Sequence, residues 1–157
     1  MRLISESFTH GGEIPGKFTC DGRNISPALS WTGAPRHTEV FVLIVNDIDA
    51  PKPGGFTHWV LYNIPSDVHQ LDEDVAASES SPSFGTQGRN DSGTTGYVGP
   101  CPPAGRHHYF FHLYALRRKL YLDAGATRDQ VLSAVEGQIL DYAELIGTYE
   151  KAPSRQR

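Results

Sequence analysis

Turn-forming groups of residues divide this chain into short segments, and this division is what most constrains its fold. The segments between the turns are rich in β-branched and aromatic residues. The turn signals are Gly11-Gly12, Pro15-Gly16, Asp21-Gly22, Gly33-Ala34-Pro35, Pro53-Gly54-Gly55 and Ser92-Gly93. Short strands separated by such turns are typical of an all-β sandwich or barrel. The sequence therefore predicts a fold made mainly of antiparallel strands.

Two segments are predicted to be inner strands of the sandwich. Val40–Val45 is apolar at every position, which indicates a strand that is covered on both faces. His107–Leu116 has the composition of a strand, and its apolar residues also fall on both faces. Because side chains alternate along a strand, His107 and Tyr109 are expected to point to the same side.

One helix is predicted near the C-terminus. Thr127 and Gln130 have the spacing of a capping box, which marks a helix start. Apolar residues then recur at intervals of three and four, as on one face of a helix. They are Leu132, Val135, Ile139, Tyr142 and Ile146. Gly147 is a suitable residue to end the helix, so we expect it to run to this position and to pack against the core.

Length and charge limit the classes of protein to consider. A chain of 157 residues is expected to form one domain, here residues 1–150, with residues 151–157 as a disordered tail. Residues 66–95 are polar and poor in strand formers, so we predict a long surface loop there. The net charge of −4 argues against nucleic-acid binding, which requires a clustered basic surface.

The N-terminal residues lack the apolar core of a signal peptide. The longest apolar run is too short to cross a bilayer, so no membrane insertion and a cytoplasmic location are predicted. Cys20 and Cys101 are too few for a disulfide framework and lack CxxC spacing. We predict that both are reduced and act as small apolar residues, with a pair in space as the alternative.

Titratable residues at the ends of predicted strands indicate where a ligand would bind. Asp47 follows the first inner strand, His58 opens the segment 58–63, and His107 opens the second inner strand. Strand ends allow side chains to converge on a cavity while the sheet holds them in place. The adjoining segment Gly96–Gly105 contains three glycines and three prolines, which allow close approach to a ligand and stiffen the loop.

Several chemistries are compatible with these residues. Imidazolium and tyrosine hydroxyl groups can donate hydrogen bonds to phosphate oxygens, and Asp47 can orient a histidine and favour its charged form. Asp47, His58 and His107 are also the ligand types of a two-histidine, one-carboxylate metal site in a hydrolase. No closely spaced ligand pair supports that metal site, and no nucleophile stands beside a base. The residues therefore favour non-enzymatic binding of a small anion.

Five motifs, in the same order as in a known family, cover nearly the whole chain. They are Asp21–Trp31, Asp47–Pro51, Thr57–Pro65, Gly96–Gly105 with His107-His108-Tyr109, and Gly147-Thr148-Tyr149. Together they resemble the phosphatidylethanolamine-binding protein family, whose eukaryotic members include Raf kinase inhibitor protein. The compact length resembles the bacterial and archaeal branch.

The resemblance implies a sandwich of two antiparallel sheets, with Greek-key-like topology, peripheral helices and the main helix near the C-terminus. It also implies a pocket for phosphate-like anions. The residues that it assigns to this pocket are Asp47, His58, His107 and Tyr109, with Gly99, Pro100 and Cys101 as one wall. The expected partner is a small anionic ligand such as a phosphoryl headgroup, without metal or cofactor. Protease or kinase inhibition is the alternative function, and the resemblance is compatible with a homodimer without specifying the oligomeric state.

Overall fold

The computed structural model describes residues 1–77, 80–81 and 83–151, and it contains two antiparallel sheets. The smaller sheet has the order β1-β2-β5, with β1 (Arg2–Ile4), β2 (Leu29–Thr32) and β5 (Gln70–Leu71). The larger sheet has the order β6-β4-β3-β7-β8, with β3 (Val40–Asp47), β4 (Phe56–Pro65), β6 (Thr86–Gln87), β7 (Arg106–Leu116) and β8 (Ile139–Glu150). The described residues also form one α-helix, α1 (Arg128–Val135), and one 3₁₀ turn, Gly16–Phe18.

The main core lies between the two sheets. Leu29 and Trp31 of β2 face Phe41 and Leu43 of β3, and all four side chains are buried. The rings of Trp31 and Phe41 meet edge to face, with their centroids 5.5 Å apart. This arrangement confirms the predicted antiparallel sandwich.

β3 is buried along its whole length because both of its faces are covered. The face opposite the main core carries Val42 and Ile44, which pack in a second cluster with Val131 and Val135 of α1. Both edges of β3 are also paired, one with β4 and the other with β7. β7 likewise lies between two strands, β3 and β8, so both predicted inner strands are confirmed, although one face of β7 is only partly buried.

The helix begins where the sequence predicted but is much shorter. The Thr127 hydroxyl accepts from the Gln130 amide at 3.3 Å, and the Gln130 side chain accepts from the Thr127 amide at 2.9 Å. The helix ends at Val135, and Gly137 follows with a positive φ of 76°. The prediction of a helix that continues to Gly147 was wrong.

The segment after Gly137 forms strand β8, which pairs with β7 from Leu116↔Ile139 to Arg106↔Glu150. In this strand Ala143, Leu145 and Tyr149 are buried, whereas Ile139 and Tyr142 are among the exposed large apolar residues. The predicted apolar stripe thus combined Leu132 and Val135 of α1 with residues of β8 that lie outside its buried positions, namely Ile139, Tyr142 and Ile146. Long-range pairing with β7 overrides the local helical pattern, as tertiary context often does.

The polar segment 66–95 is anchored where the structure describes it. It contributes β5 and β6, and the Asn90 side chain, which is buried, donates to the Gly96 carbonyl at 2.9 Å. The Val75 amide donates to the Ser26 hydroxyl at 2.9 Å. Residues 78, 79 and 82 of this segment lie outside the described residues, as do residues 152–157 of the predicted tail.

Cys20 and Cys101 form a disulfide across a sequence separation of 81 residues, so the prediction of reduced cysteines was wrong and its alternative holds. The two loops meet because the Cys20 amide donates to the Pro100 carbonyl at 3.1 Å. Chain spacing carries no information about such proximity in space. Disulfides persist mainly in oxidising compartments, so the bond does not favour the predicted cytoplasmic location.

In the described part of the chain, none of the helices has the length and apolar character needed to cross a membrane.

The disulfide should contribute strongly to stability because it closes a long loop. We expect the double variant Cys20→Ala/Cys101→Ala to lose roughly 2–4 kcal/mol of unfolding free energy, measured by urea titration. Wild-type protein in dithiothreitol should match the variant, and the reductant should leave the variant itself unchanged. Equal stability of oxidised and reduced wild-type protein would contradict the expectation.

Candidate functional site

The register of the central strands brings the predicted site residues to one edge of the larger sheet. β3 runs antiparallel to both β4 and β7, so its last residue lies beside the first residues of its two neighbours. Asp47 is opposite Phe56 on one side and Tyr109 on the other. His58 and His107 therefore flank Asp47 although they are far from it in sequence.

A cavity of about 240 Å³ lies at this edge. Its titratable lining residues are Asp47, His58 and His107. The other lining residues are Ala50, Pro51, Phe56, Ser92, Val98, Gly99, Cys101, Pro102 and Pro103. The volume is below the range of drug-sized ligand pockets, so the cavity suits a small ligand or the head of a larger one. Of the predicted pocket residues, Pro100 and Tyr109 do not line it.

Three other clefts among the described residues are larger, but none of them is lined by a buried carboxylate together with buried imidazoles. One of about 710 Å³ includes Arg106, which is paired with Glu150 at 3.5 Å on the exposed surface. Another of about 440 Å³ lies between the edges of β1 and β8. In the smaller cavity, by contrast, Asp47, His58 and His107 are 4%, 5% and 8% exposed. Titratable groups buried around a cavity are a physical indication of a functional site.

The pair formed by Asp47 and His107 is the strongest polar contact of this cavity. Nδ1 of His107 lies 2.6 Å from Oδ2 of Asp47. The second carboxylate oxygen accepts from the Asp49 amide at 2.9 Å, which fixes the orientation of the Asp47 side chain. Because a carboxylate accepts, Nδ1 of His107 carries the proton, and Nε2 is the nitrogen left for a ligand.

His58 is fixed by the loop that follows β6. Its Nδ1 lies 2.7 Å from the Val98 carbonyl, which can only accept, so Nδ1 carries a proton. The Val98 amide donates in turn to the His58 carbonyl at 2.9 Å. Burial lowers the pKa of His58 below its usual value, although the backbone of Val98 and Gly99 and the charges of Asp47 and Asp91 act in the opposite direction.

Tyr109 lies behind the two histidines, where it is fully buried. Its ring meets that of His58 edge to face at a centroid distance of 5.2 Å and stacks on His107 at 6.5 Å. Its hydroxyl has no hydrogen-bond partner among the described residues. Burial, and next the charges of Asp47 and Asp49, raise the pKa of Tyr109, so the phenol stays neutral and can donate.

The loop Gly96–Gly105 forms one wall and is fastened to the segment 18–24. The Gly99 amide donates to Oδ1 of Asn24 at 2.7 Å, and the Tyr97 hydroxyl donates to the Phe18 carbonyl at 2.7 Å. A Cβ at Gly99 would overlap the Phe18 carbonyl oxygen, so only glycine allows this approach. Together with the Cys20–Cys101 disulfide, these contacts make the wall rigid.

Several supporting residues were missed in the sequence. Asp49 accepts from both the amide and Nδ1 of His108 at 2.7 Å, and the hydrogen bond from the His108 side chain is the largest of the contacts that lower the pKa of Asp49. Arg128 donates to Oδ1 of Asn46 at 3.1 Å and to the Gly54 carbonyl at 2.7 Å, which holds the loop after β3. A local sequence signal existed for Phe56, which is two residues before His58 and so faces the same side of β4. Asp49 and Arg128 gave no such signal, because their contacts are with residues far away in the sequence.

The geometry also bears on the predicted metal alternative. Metal-binding histidines also donate their other ring nitrogen to a carboxylate or carbonyl, as His58 and His107 do here. Both oxygens of Asp47, however, are already hydrogen-bonded to protein groups. Within residues 1–77, 80–81 and 83–151, no cluster of three His, Cys, Asp or Glu side chains could hold a metal ion.

Comparison with known proteins matches the chain with one family. The family model "Phosphatidylethanolamine-binding protein" covers residues 4–150. A UPF0098 protein of Methanothermobacter thermautotrophicus is 50% identical over 151 residues, which is 96% of this chain and 99% of the relative. A UPF0098 protein of Aquifex aeolicus is 46% identical over 96% of this chain and 89% of its own length.

Two crystal structures have the same fold. A putative phosphatidylethanolamine-binding protein homologue from Chlamydia trachomatis has a TM-score of 0.88 and 41% identity, with 96% of this chain and 97% of that chain covered. E. coli YBCL, a member of the mammalian PEBP family, has a TM-score of 0.88 and 33% identity, with 96% and 98% covered. The order of motifs along the chain, the sandwich and these matches agree, and the chain belongs to the phosphatidylethanolamine-binding protein family.

Proposed function

We propose that this protein binds a small phosphate-like anion, free or as a phosphoryl headgroup, without chemical turnover. The site is the cavity lined by Asp47, His58 and His107, with Gly99 and Cys101 in its wall. The observation that carries the proposal is the buried 2.6 Å contact between Asp47 and His107, which leaves Nε2 of His107 as the nitrogen for a ligand.

The chemistry of this pair suits an anion. A histidine whose Nδ1–H is bound to a carboxylate can carry a second proton on Nε2, and the carboxylate stabilises the positive charge. Nε2–H of such a ring then donates a charge-assisted hydrogen bond to a phosphate oxygen. The unpartnered hydroxyl of Tyr109, behind the rings, is a second potential donor.

The names of the relatives support the same chemistry. The family is named for binding phosphatidylethanolamine, a molecule that contains a phosphate group, and the Chlamydia trachomatis protein is named as a homologue of such proteins. The cavity volume of about 240 Å³ accommodates a headgroup rather than a whole lipid. A regulatory role through this ligand is part of the proposal.

A calorimetric titration tests the proposed site. Inorganic phosphate and phosphoethanolamine should bind the wild-type protein, and ligand at 100 times Kd should stabilise it by about 2.7 kcal/mol. His107→Ala should weaken binding by about 1.5–3 kcal/mol, or roughly 10–150-fold, because a charged donor is lost. His69→Ala, which removes an exposed histidine just before β5, is the matched control and should bind normally. Hydrolysis of a phosphoester that His107→Ala abolishes would contradict binding without turnover.

Asp47→Asn tests the supporting role of the carboxylate. We expect phosphate affinity to fall by an order of magnitude, because the amide cannot stabilise a charged His107 as a carboxylate does. Asp49→Asn removes a neighbouring carboxylate that holds the exposed His108 instead, so it should leave affinity nearly unchanged. If Asp47 merely repelled the anion, its neutralisation would tighten binding.

Tyr109→Phe separates ligand binding from folding. In the free protein the hydroxyl is buried without a partner among the described residues, so its removal should leave the melting temperature unchanged or raise it. If the hydroxyl donates to the bound anion, phosphate affinity should fall by about three- to tenfold in the same variant. Unchanged affinity would exclude Tyr109 from the binding site.

A further inference from the structure

The two histidines of the cavity differ in the partner that holds Nδ1. His107 donates to a carboxylate, at 2.6 Å, and a carboxylate supports a second proton on the ring. His58 donates to the neutral Val98 carbonyl at 2.7 Å. In both rings Nε2 is the nitrogen left for the cavity, but the two Nε2 atoms do not offer a ligand the same chemistry.

The surroundings of His58 favour the neutral ring. Phe56 packs against it with a centroid distance of 4.8 Å, and Tyr109 presents its ring at 5.2 Å. Asp47 of β3 and Asp91 of the loop before β7 are the charged groups that favour protonation, and Asp91 is itself paired with Lys52 at 3.1 Å. Burial outweighs both acids and lowers the pKa of His58. In the neutral ring Nε2 has no proton, and its lone pair can accept a hydrogen bond.

We propose that the cavity selects an oxyanion that still carries a proton, which is the chemistry shared by protonated inorganic phosphate and a phosphomonoester monoanion. The ligand's P–O–H group donates to Nε2 of His58, and its unprotonated oxygens accept from Nε2–H of His107. This inference rests on the proposed function of the site and specifies the class of anion that it takes.

The selectivity follows from matching donors with acceptors. Sulfate and phosphodiesters carry no proton near neutral pH, so one of their oxygens would face the lone pair of His58. That contact either places two hydrogen-bond acceptors, the anion oxygen and Nε2 of His58, against each other, or requires His58 to take up a proton and become charged in a buried position. A buried polar group without a matching partner costs about 1–3 kcal/mol, or roughly 5–150-fold in affinity.

The walls of the cavity strengthen this requirement. Pro51, Pro102 and Pro103 line it, and proline has no amide proton to donate. Phe56 and Val98 add apolar side chains. Ser92 is the other lining residue with a side-chain donor, so few protein donors are available to replace the hydrogen bond that an unprotonated oxygen cannot make with His58.

Titrations of the full chain with a set of similar anions test the proposal. At pH 6, close to the second ionisation of phosphomonoesters, we expect inorganic phosphate to bind at least tenfold more tightly than sulfate. Monofluorophosphate, which has the shape of phosphate but a more acidic proton, should resemble sulfate. Phosphoethanolamine and dimethyl phosphate compare a monoester with a diester such as the phosphate of an intact lipid, and only the monoester can carry the proton. Tighter binding of phosphoethanolamine than of dimethyl phosphate would support the selectivity, and tighter binding of dimethyl phosphate would overturn it and identify a lipid diester as the source.

His58→Phe removes the acceptor and keeps a ring of similar size. We expect the ratio of phosphate to sulfate affinity to fall from tenfold or more towards one. Most of this change should come from weaker binding of phosphate. The ratio is informative even if the variant is less stable, because both anions are measured on the same protein. His69→Phe is the matched control and should keep the wild-type ratio.

Nitrogen NMR of the wild-type protein shows directly whether Nε2 of His58 carries a proton, so no variant is needed for this test. With phosphate bound, Nε2 of His58 should retain the chemical shift of an unprotonated nitrogen. Equal affinity for phosphate and sulfate, or a protonated Nε2 in the complex, would overturn the selectivity but leave the anion site in place. Failure of every anion to bind would overturn the proposed function, and the selectivity with it.

Discussion

The pairing of β3 with both of its neighbours is the constraint on which the rest of this structure depends. An eight-residue strand buried on both faces and paired along both edges has a single register that satisfies its backbone groups. That register places Asp47 at the end of the strand, opposite residues of β4 and β7. The location of the cavity is therefore a consequence of the same hydrogen bonds that assemble the larger sheet.

The cavity combines rigid apolar walls with few polar groups, each of which has a fixed partner. Asp47 is bound by His107 and by a backbone amide, and His58 exchanges hydrogen bonds with Val98 in both directions. Buried polar groups need such partners, because an unpaired one is costly. Fixed partners also set which ring nitrogen holds a proton, and this decides whether each histidine donates to a ligand or accepts from it.

The two incorrect predictions arose from information that lies outside any local segment. The stripe that includes Ile139 and Tyr142 has helical spacing, but pairing of this segment with β7 makes it a strand. Cys20 and Cys101 looked unrelated because 81 residues separate them, and the packing of their two loops brings them together. Local patterns record propensity, whereas strand pairing and loop contacts are non-local and depend on the complete fold.

The sequence by itself determined the class of fold, the two inner strands, the start of the helix and the strand ends that carry Asp47, His58 and His107. These features follow from periodicity, turn residues and capping, all of which act over a few neighbouring positions. Only the tertiary structure decided that Tyr109 lies behind the cavity rather than in its lining, and that the Val98 carbonyl holds His58. Those outcomes depend on distances between segments far apart in the chain, which are set when the sheets and loops pack together.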